Sequence, residues 1–315
     1  MKNITSKIVM IRPANFGYNA ETAVNNAFQN HPNLNSNYQI SKNALQEFDE
    51  MVDILESYDI KVTVIKDKPT VPKPDAVFPN NWFSTHAEII ITYPLFAPSR
   101  RTERSEDIIT TIKKLGNYTK HIRFEHFEDN EQPMFLEGTG SLVLDRKDKI
   151  AYAAISPRTS EELVLNWCEL MGYKPIIFKA YGPNDEAIYH TNVMMYIGDE
   201  FAVVCVDSIE ENYKNEVIEQ INNSGKLLIS ISKDQTFKHF AGNMIQLIST
   251  GNDKLLILSQ SAYDSLSEMQ RKLLLQYNRH LIPIYIPTIE KYGGGSISGL
   301  MNMVGIDSIV LYGNP

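Results

Sequence analysis

Cysteine is scarce in this chain: two in 315 residues, Cys168 and Cys205. Two cysteines cannot build a disulfide framework, and no paired spacing marks a zinc site. Cys168 sits in Leu163-Val-Leu-Asn-Trp-Cys-Glu-Leu, a helix face, and Cys205 in Phe201-Ala-Val-Val-Cys-Val, a buried strand. Both read as small apolar core residues. Long apolar runs are also missing. None reaches the roughly 18 residues of a membrane span. The run from Ile8 to Ile11, after Lys2 and Lys7, is too short for the core of a signal peptide. Blocks of basic charge are absent too. Lys and Arg number 30 against 38 Asp and Glu, for a net charge of -8, which argues against nucleic acid as a partner. Hydrophobic residues at 43% and charged residues at 22% are ordinary for a globular chain. The expectation is a cytoplasmic protein with no metal, no cofactor and no membrane partner.

What is present is a repeat. Five stretches carry helical apolar spacing: Phe48-Met51-Val52-Leu55, Ile108-Ile112-Leu115, Leu163-Trp167-Leu170, Tyr213-Val217-Ile221 and Leu266-Met269-Leu273. Thr159 followed by Glu162 reads as a capping box, and Gly116, Gly172 and Gly225 stand where three of the helices should end. A short apolar strand follows each helix, centred on Val62, Ile122, Ile176, Leu228 and Ile282. Hairpins fill the intervals, as in Leu142–Leu144 with Ala151–Ile155, Met194–Ile197 with Phe201–Val206, and Ile245–Ile248 with Leu255–Leu258. The unit is hairpin, helix, strand, used five times. The last hairpin needs one strand from each end of the chain, Ile8–Ile11 and Ile306–Leu311. Even spacing and the removal of sheet edges favour closure over an open sheet. The expected fold is an α/β, five-bladed pseudo-fivefold α/β propeller. Residues 1–315 form one domain in this reading, closed by strands from both termini.

In such a fold the five loops between a post-helix strand and the next hairpin meet at one end of the axis. They carry Asp75, Asn80, Asn81, Glu137, His190, Asn192, Asn243 and the Gly-rich turn of Glu290-Lys-Tyr-Gly-Gly-Gly-Ser-Ile-Ser-Gly. Convergent polar groups in one cleft describe a small-molecule site.

Six segments resemble, in order and interval, the guanidino-group-modifying superfamily of arginine deiminase and dimethylarginine dimethylaminohydrolase (the penteins). They are Pro74-Asp-Ala-Val-Phe, Ala97-Pro-Ser-Arg-Arg-Thr-Glu, Leu136-Glu-Gly-Thr-Gly, Ser156-Pro-Arg-Thr, the His190 loop and Glu290-Lys-Tyr-Gly-Gly. The family fold is a five-bladed α/β propeller. The resemblance implies that Asp75 binds a substrate α-amino group and that Arg100 and Arg158 bind the α-carboxylate, a task suited to a guanidinium fork. It implies His190 as general acid and base, with Glu137 orienting it. Phe16 lies in a loop, Pro13 to Asn19, that would act as a lid.

Two departures shape the functional expectation. Where relatives set carboxylates against a guanidinium, this chain has Asn81 and Asn192. An amide offers a donor and an acceptor without charge, which suits the neutral ureido group of citrulline. The Asn80-Asn-Trp-Phe and His190-Thr-Asn segments resemble the branch that hydrolyses citrulline. Second, the family's nucleophilic cysteine aligns with Gly299. Ser296 and Ser298 are nearby hydroxyls, but serine needs an adjacent base and exact placement. Three readings follow: a C–N hydrolase relative impaired by the loss of its thiol, a non-catalytic amino-acid-binding protein, or an amidinotransferase. The expected partner is an amino acid resembling citrulline or arginine; monomer and homodimer both remain open.

Overall fold

The computed structural model describes residues 3–32, 37–68 and 71–305. It holds five three-stranded sheets of one design. A first strand runs antiparallel to a second, and the second runs parallel to a third, reached through a helix. One sheet joins Asn302–Met303, Lys7–Arg12 and Lys61–Lys66. The next joins Phe83–His86, Ile89–Thr92 and Lys120–Arg123. The third joins Val143–Asp145, Ile150–Ala154 and Lys174–Phe178. Met195–Ile197, Phe201–Val204 and Leu227–Ser230 form the fourth. Ile245–Ile248, Lys254–Ser259 and His280–Ile284 form the fifth. Parallel pairing requires a crossover, and the helix between second and third strand supplies it. The arrangement is the pseudo-fivefold α/β propeller expected from the repeat.

Burial explains the strand composition. Phe83–His86, Ile150–Ala154 and Phe201–Val204 are buried along their whole length. The third strands are less buried: in Lys61–Lys66, Lys61, Val64 and Lys66 are exposed and the rest only partly buried. Each helix lays one stripe on its sheet. In Asn37–Ser57, Phe48, Met51 and Leu55 are fully buried, each contributing about 1.5–3 kcal/mol.

Three local expectations are corrected. The stretch around Leu266 and Leu273 is two helices, Gln260–Ser265 and Glu268–Leu275. Ser267 breaks the run by capping the second one through a reciprocal capping box with Gln270. Thr159 caps nothing: its hydroxyl donates to Ser141, and Ser160 occupies the N-cap of Glu161–Met171. Of the three glycines, Gly172 and Gly225 end their helices in the left-handed conformation as expected, at the C-cap of Glu161–Met171 and just after Ser224, whereas Lys114 rather than Gly116 caps Glu106–Lys113. The closing strand placed at Ile306–Leu311 lies outside the described residues. Asn302–Met303 makes that pairing instead, with Met303 opposite Ile8 and Asn302 opposite Val9.

Candidate active site

A short turn precedes every first strand: Pro79–Asn81, Gly138–Ser141, Thr191–Val193, the Asn243 loop and Ile297–Leu300. The repeat therefore brings five turns to one end of the axis. They surround a cavity of about 380 Å³ whose lining includes Asp75, Asn80, Asn81, Arg100, Arg158, His190, Asn192, Asn243, Ser296 and Gly299.

His190 stands at the centre of the chemistry. Its Nε2 lies 2.7 Å from Glu137 Oε2, and both residues are buried. The other Glu137 oxygen accepts the backbone N–H of Phe96 at 2.9 Å. Burial opposes ionisation of Glu137, but Arg158, His190 and Arg100 outweigh it and hold the carboxyl down at about 2. Burial pushes the His190 imidazole down to about 4, against the pull of Glu137. The resting pair is thus carboxylate and neutral imidazole. A carboxylate only accepts, so Nε2 carries the proton and Nδ1 the lone pair. Gly140 makes room for the pair: a Cβ there would stand 2.8 Å from His190 Nδ1 and 2.6 Å from Asn81 Nδ2. Gly138 has φ +50°, and its Cβ would meet the Asn80 carbonyl at 2.1 Å, so that turn requires glycine.

The two arginines do not present open forks. Arg100 gives Nε and Nη2 to the two oxygens of Glu103, each at 2.9 Å, and Nη1 to Asn81 Oδ1 at 2.6 Å. Nη2 also reaches the carbonyl of Phe78 at 3.1 Å. Arg158 donates from Nε to Asn25 Oδ1 at 2.8 Å and from Nη2 to the carbonyl of Thr22 at 2.7 Å, while Nη1 lies 3.5 Å from Glu137. Both line the cavity, yet their bidentate capacity is spent on the protein. Arg100 in particular is a buried brace. Phe16 is not over the cavity either. It packs in the core with Phe78, against Gly293.

The unpartnered groups lie elsewhere in the same wall. Asp75 Oδ2 accepts from Asn19 Nδ2 at 2.8 Å and from Thr22 Oγ1 at 3.2 Å, but its buried Oδ1 has no hydrogen-bond partner. Burial raises the Asp75 carboxyl, opposed by Arg100. Asn80 is fully buried with neither amide atom bonded. Asn81 and Asn192, the residues expected to face a ureido group, are both engaged: Asn81 Oδ1 takes the Arg100 proton, and Asn192 Nδ2 donates to Ser298 Oγ at 3.0 Å. Asn243 fixes the last turn, donating to the Asn192 carbonyl and accepting the Ser298 N–H, each within 2.9 Å. Thr22, Asn26 and Tyr189 also line the cavity. They were missed because the sequence reading gave the N-terminal loop only as a lid, over Pro13 to Asn19, and an aromatic beside a histidine carries no signal of its own.

Gly299 lines the cavity, whereas Cys168 and Cys205 are buried in the core outside it. Ser296 lines it as well and donates to Glu290 Oε1 at 2.6 Å. Burial raises the Glu290 carboxyl to about 7, opposed by its bonds from Ser296 and Ser259. A carboxyl raised on folding adds stability that is full below its unfolded pKa and lost as pH rises through its folded one. Glu290→Gln should therefore gain stability relative to the parent between pH 5 and pH 8, read as a shift in urea midpoint. An unchanged difference across that window would show that Glu290 is ionised throughout.

Among the described residues no cluster of His, Cys, Asp or Glu could hold a metal ion, and no helix is long and apolar enough to cross a membrane.

Five α/β blades around a pocket with a carboxylate-supported histidine define the class, the pentein guanidino-modifying enzymes. Within it, the chain belongs to the eukaryotic N,N dimethylarginine dimethylhydrolase family, whose profile matches residues 12–303. No curated protein sequence matches. Among solved structures it is similar to the N-terminal domain of ArgZ, an arginine dihydrolase from cyanobacteria, bound to product: 16% identity, TM-score 0.72, covering 96% of this chain and 97% of that one. It is similar to AgrE in complex with L-arginine at 14% identity and TM-score 0.72, covering 96% of this chain and 40% of that one. A cysteine-to-serine variant of dimethylarginine dimethylaminohydrolase from Pseudomonas aeruginosa, complexed with citrulline, matches at 16% identity and TM-score 0.63, covering 95% and 99%.

Proposed function

We propose that this member of the family binds a free amino acid with a neutral ureido side chain, citrulline or a near relative, and does not hydrolyse it. One observation carries the reading. The unpartnered Asn80 amide stands beside Gly299, with Oδ1 3.7 Å from where a Cβ at Gly299 would lie. A buried amide with both atoms unsatisfied costs a few kcal/mol until a ligand supplies one donor and one acceptor. A ureido group has both; a guanidinium has donors only. Asp75 Oδ1 offers the matching acceptor for an α-ammonium group. His190 and Glu137 fit the family's general acid and its support, so the pocket retains proton-transfer machinery. Without a thiol at Gly299 it has no nucleophile of the family's kind.

A second reading has one observation in its favour. Ser296 is hydrogen-bonded to Glu290, whose raised carboxyl could take a hydroxyl proton. Serine nucleophiles need such a base. In that case the parent turns over substrate and Ser296→Ala abolishes it.

Calorimetry with citrulline, arginine and dimethylarginine, with ornithine and citrulline assays alongside, separates these readings. Citrulline should bind more tightly than arginine, by roughly tenfold for one mismatched hydrogen bond in a buried site. Asn80→Asp should narrow or reverse that order by adding charge. Tighter arginine binding by the parent would refute the ureido assignment.

A further inference from the structure

The first strands of the blades line the axis below the pocket. There they line a second cavity. Its walls come from four of the five first strands, through residues such as Val143, Tyr196, Ile245 and Met303. Asn192 lines both cavities, and its Nδ2 donates to Ser298 Oγ, which lines the lower one. Met195, Met301 and Met303 give the lower cavity an adaptable apolar wall beside its polar residues.

One residue in this cavity has no structural explanation. Arg146 lines it and is 5% exposed. Its Nη1 donates to the Thr85 carbonyl at 3.2 Å and to His86 Nδ1 at 2.9 Å. Both acceptors are neutral, since burial holds the His86 imidazolium well below its ordinary pKa. Among the described residues no carboxylate forms an ion pair with Arg146. Its neighbour Asp145 is committed to Lys226 at 2.9 Å. A buried guanidinium without a counter-ion is costly, and such charges are normally paired. Here the cation stands in a cavity wall that also carries Met195, Met301 and Met303.

We propose that this lower axial cavity binds a small organic monocarboxylate, its carboxylate on Arg146 and its apolar tail against Met195, Met301 and Met303. The site is separate from the amino-acid pocket and does not depend on how that pocket is used. The Arg146 fork supplies the charge-assisted bonds that Thr85 and His86 leave unmade. The methionine wall supplies the burial of an alkyl chain.

Hexanoate is the probe, with hexan-1-ol and hexylammonium as controls of equal carbon number. Calorimetry on the unaltered protein should show hexanoate binding roughly tenfold or more tightly than hexan-1-ol, and hexylammonium most weakly. Methionine methyl labelling should place the hexanoate shifts on Met195, Met301 and Met303, with Met10 and Met51, buried in the core, unmoved. Arg146→Gln keeps a donor for Thr85 and removes the charge, so it should erase the preference for hexanoate. Equal binding of hexanoate and hexan-1-ol would overturn the proposal, as would shifts that spare all three cavity methionines. If Arg146→Gln does not fold, the comparison of probes on the unaltered protein decides alone.

Discussion

Gly299→Cys is expected to turn a chain that releases no ornithine from citrulline, and no citrulline from dimethylarginine, into one with measurable turnover. On the proposed reading, the parent has a general acid in His190 but no nucleophile of the family's type. A general acid alone supplies about 10²–10⁴-fold, which is small against a ureido or guanidino carbon that resists water. A thiolate changes the route, since attack gives a covalent intermediate and divides one hard step into two. His190, neutral at rest through burial, would rise when a thiolate forms beside it, and the resulting imidazolium would in turn lower the thiol. His190 then protonates the departing amine, and water releases the intermediate. Space limits the gain. A Cβ at position 299 would approach Phe78 Cδ1 to 3.0 Å, so the ring must give way by a few tenths of an ångström. Partial activity is therefore the expected outcome. Removing His190 as well, in Gly299→Cys/His190→Ala, should lower turnover by about 10²–10⁴-fold. Turnover by the parent that survives His190→Ala would show that the chemistry lies at another site. Parent turnover lost with Ser296→Ala would move the nucleophile to Ser296.

Fold and site were legible in the sequence to different degrees. The repeat was readable because each blade must bury two strands and one helix stripe, which imposes the same apolar pattern every fifty-odd residues. All five third strands contain the residues on which they were centred, Val62, Ile122, Ile176, Leu228 and Ile282. The part of the pocket built on strand-entry turns followed from the same symmetry, since those turns must converge. What the sequence did not carry was who bonds to whom inside the pocket. Arg100 and Asn81 are nineteen residues apart, and nothing local says that one saturates the other. The adjacent pair Asn80 and Asn81 looks equivalent in sequence. The three-residue turn Pro79–Asn81 rotates them apart, leaving Asn80 unpartnered and Asn81 locked. Glu103 is another case. It closes the Ala97-Pro-Ser-Arg-Arg-Thr-Glu motif with no role legible there; the short helix Pro98–Arg101 turns it inward beneath Arg100.

That brace gives the largest stability effect to be expected. Arg100→Met should destabilise the fold by about 3–5 kcal/mol, the range for removing one partner of a buried ion pair. Arg100 and Glu103 are each only 3% exposed, and the guanidinium occupies both carboxylate oxygens. Burial already lifts the Glu103 carboxyl to about 7 even with Arg100 opposing it. Without Arg100 it would rise further and the group would be neutral in the folded state. A carboxyl raised on folding contributes stability below its unfolded pKa that is lost as pH rises through its folded pKa. The variant's deficit should therefore be smaller at pH 5 than at pH 8. Arg100→Met combined with Glu103→Leu should recover most of the loss, because replacing both members of a buried pair with apolar groups is often close to neutral. Urea unfolding of the two variants at both pH values tests this. The opposite pattern, unchanged stability with lost citrulline binding, would return Arg100 to the role of a ligand-carboxylate clamp and make its contacts to Glu103 and Asn81 a resting arrangement that substrate displaces.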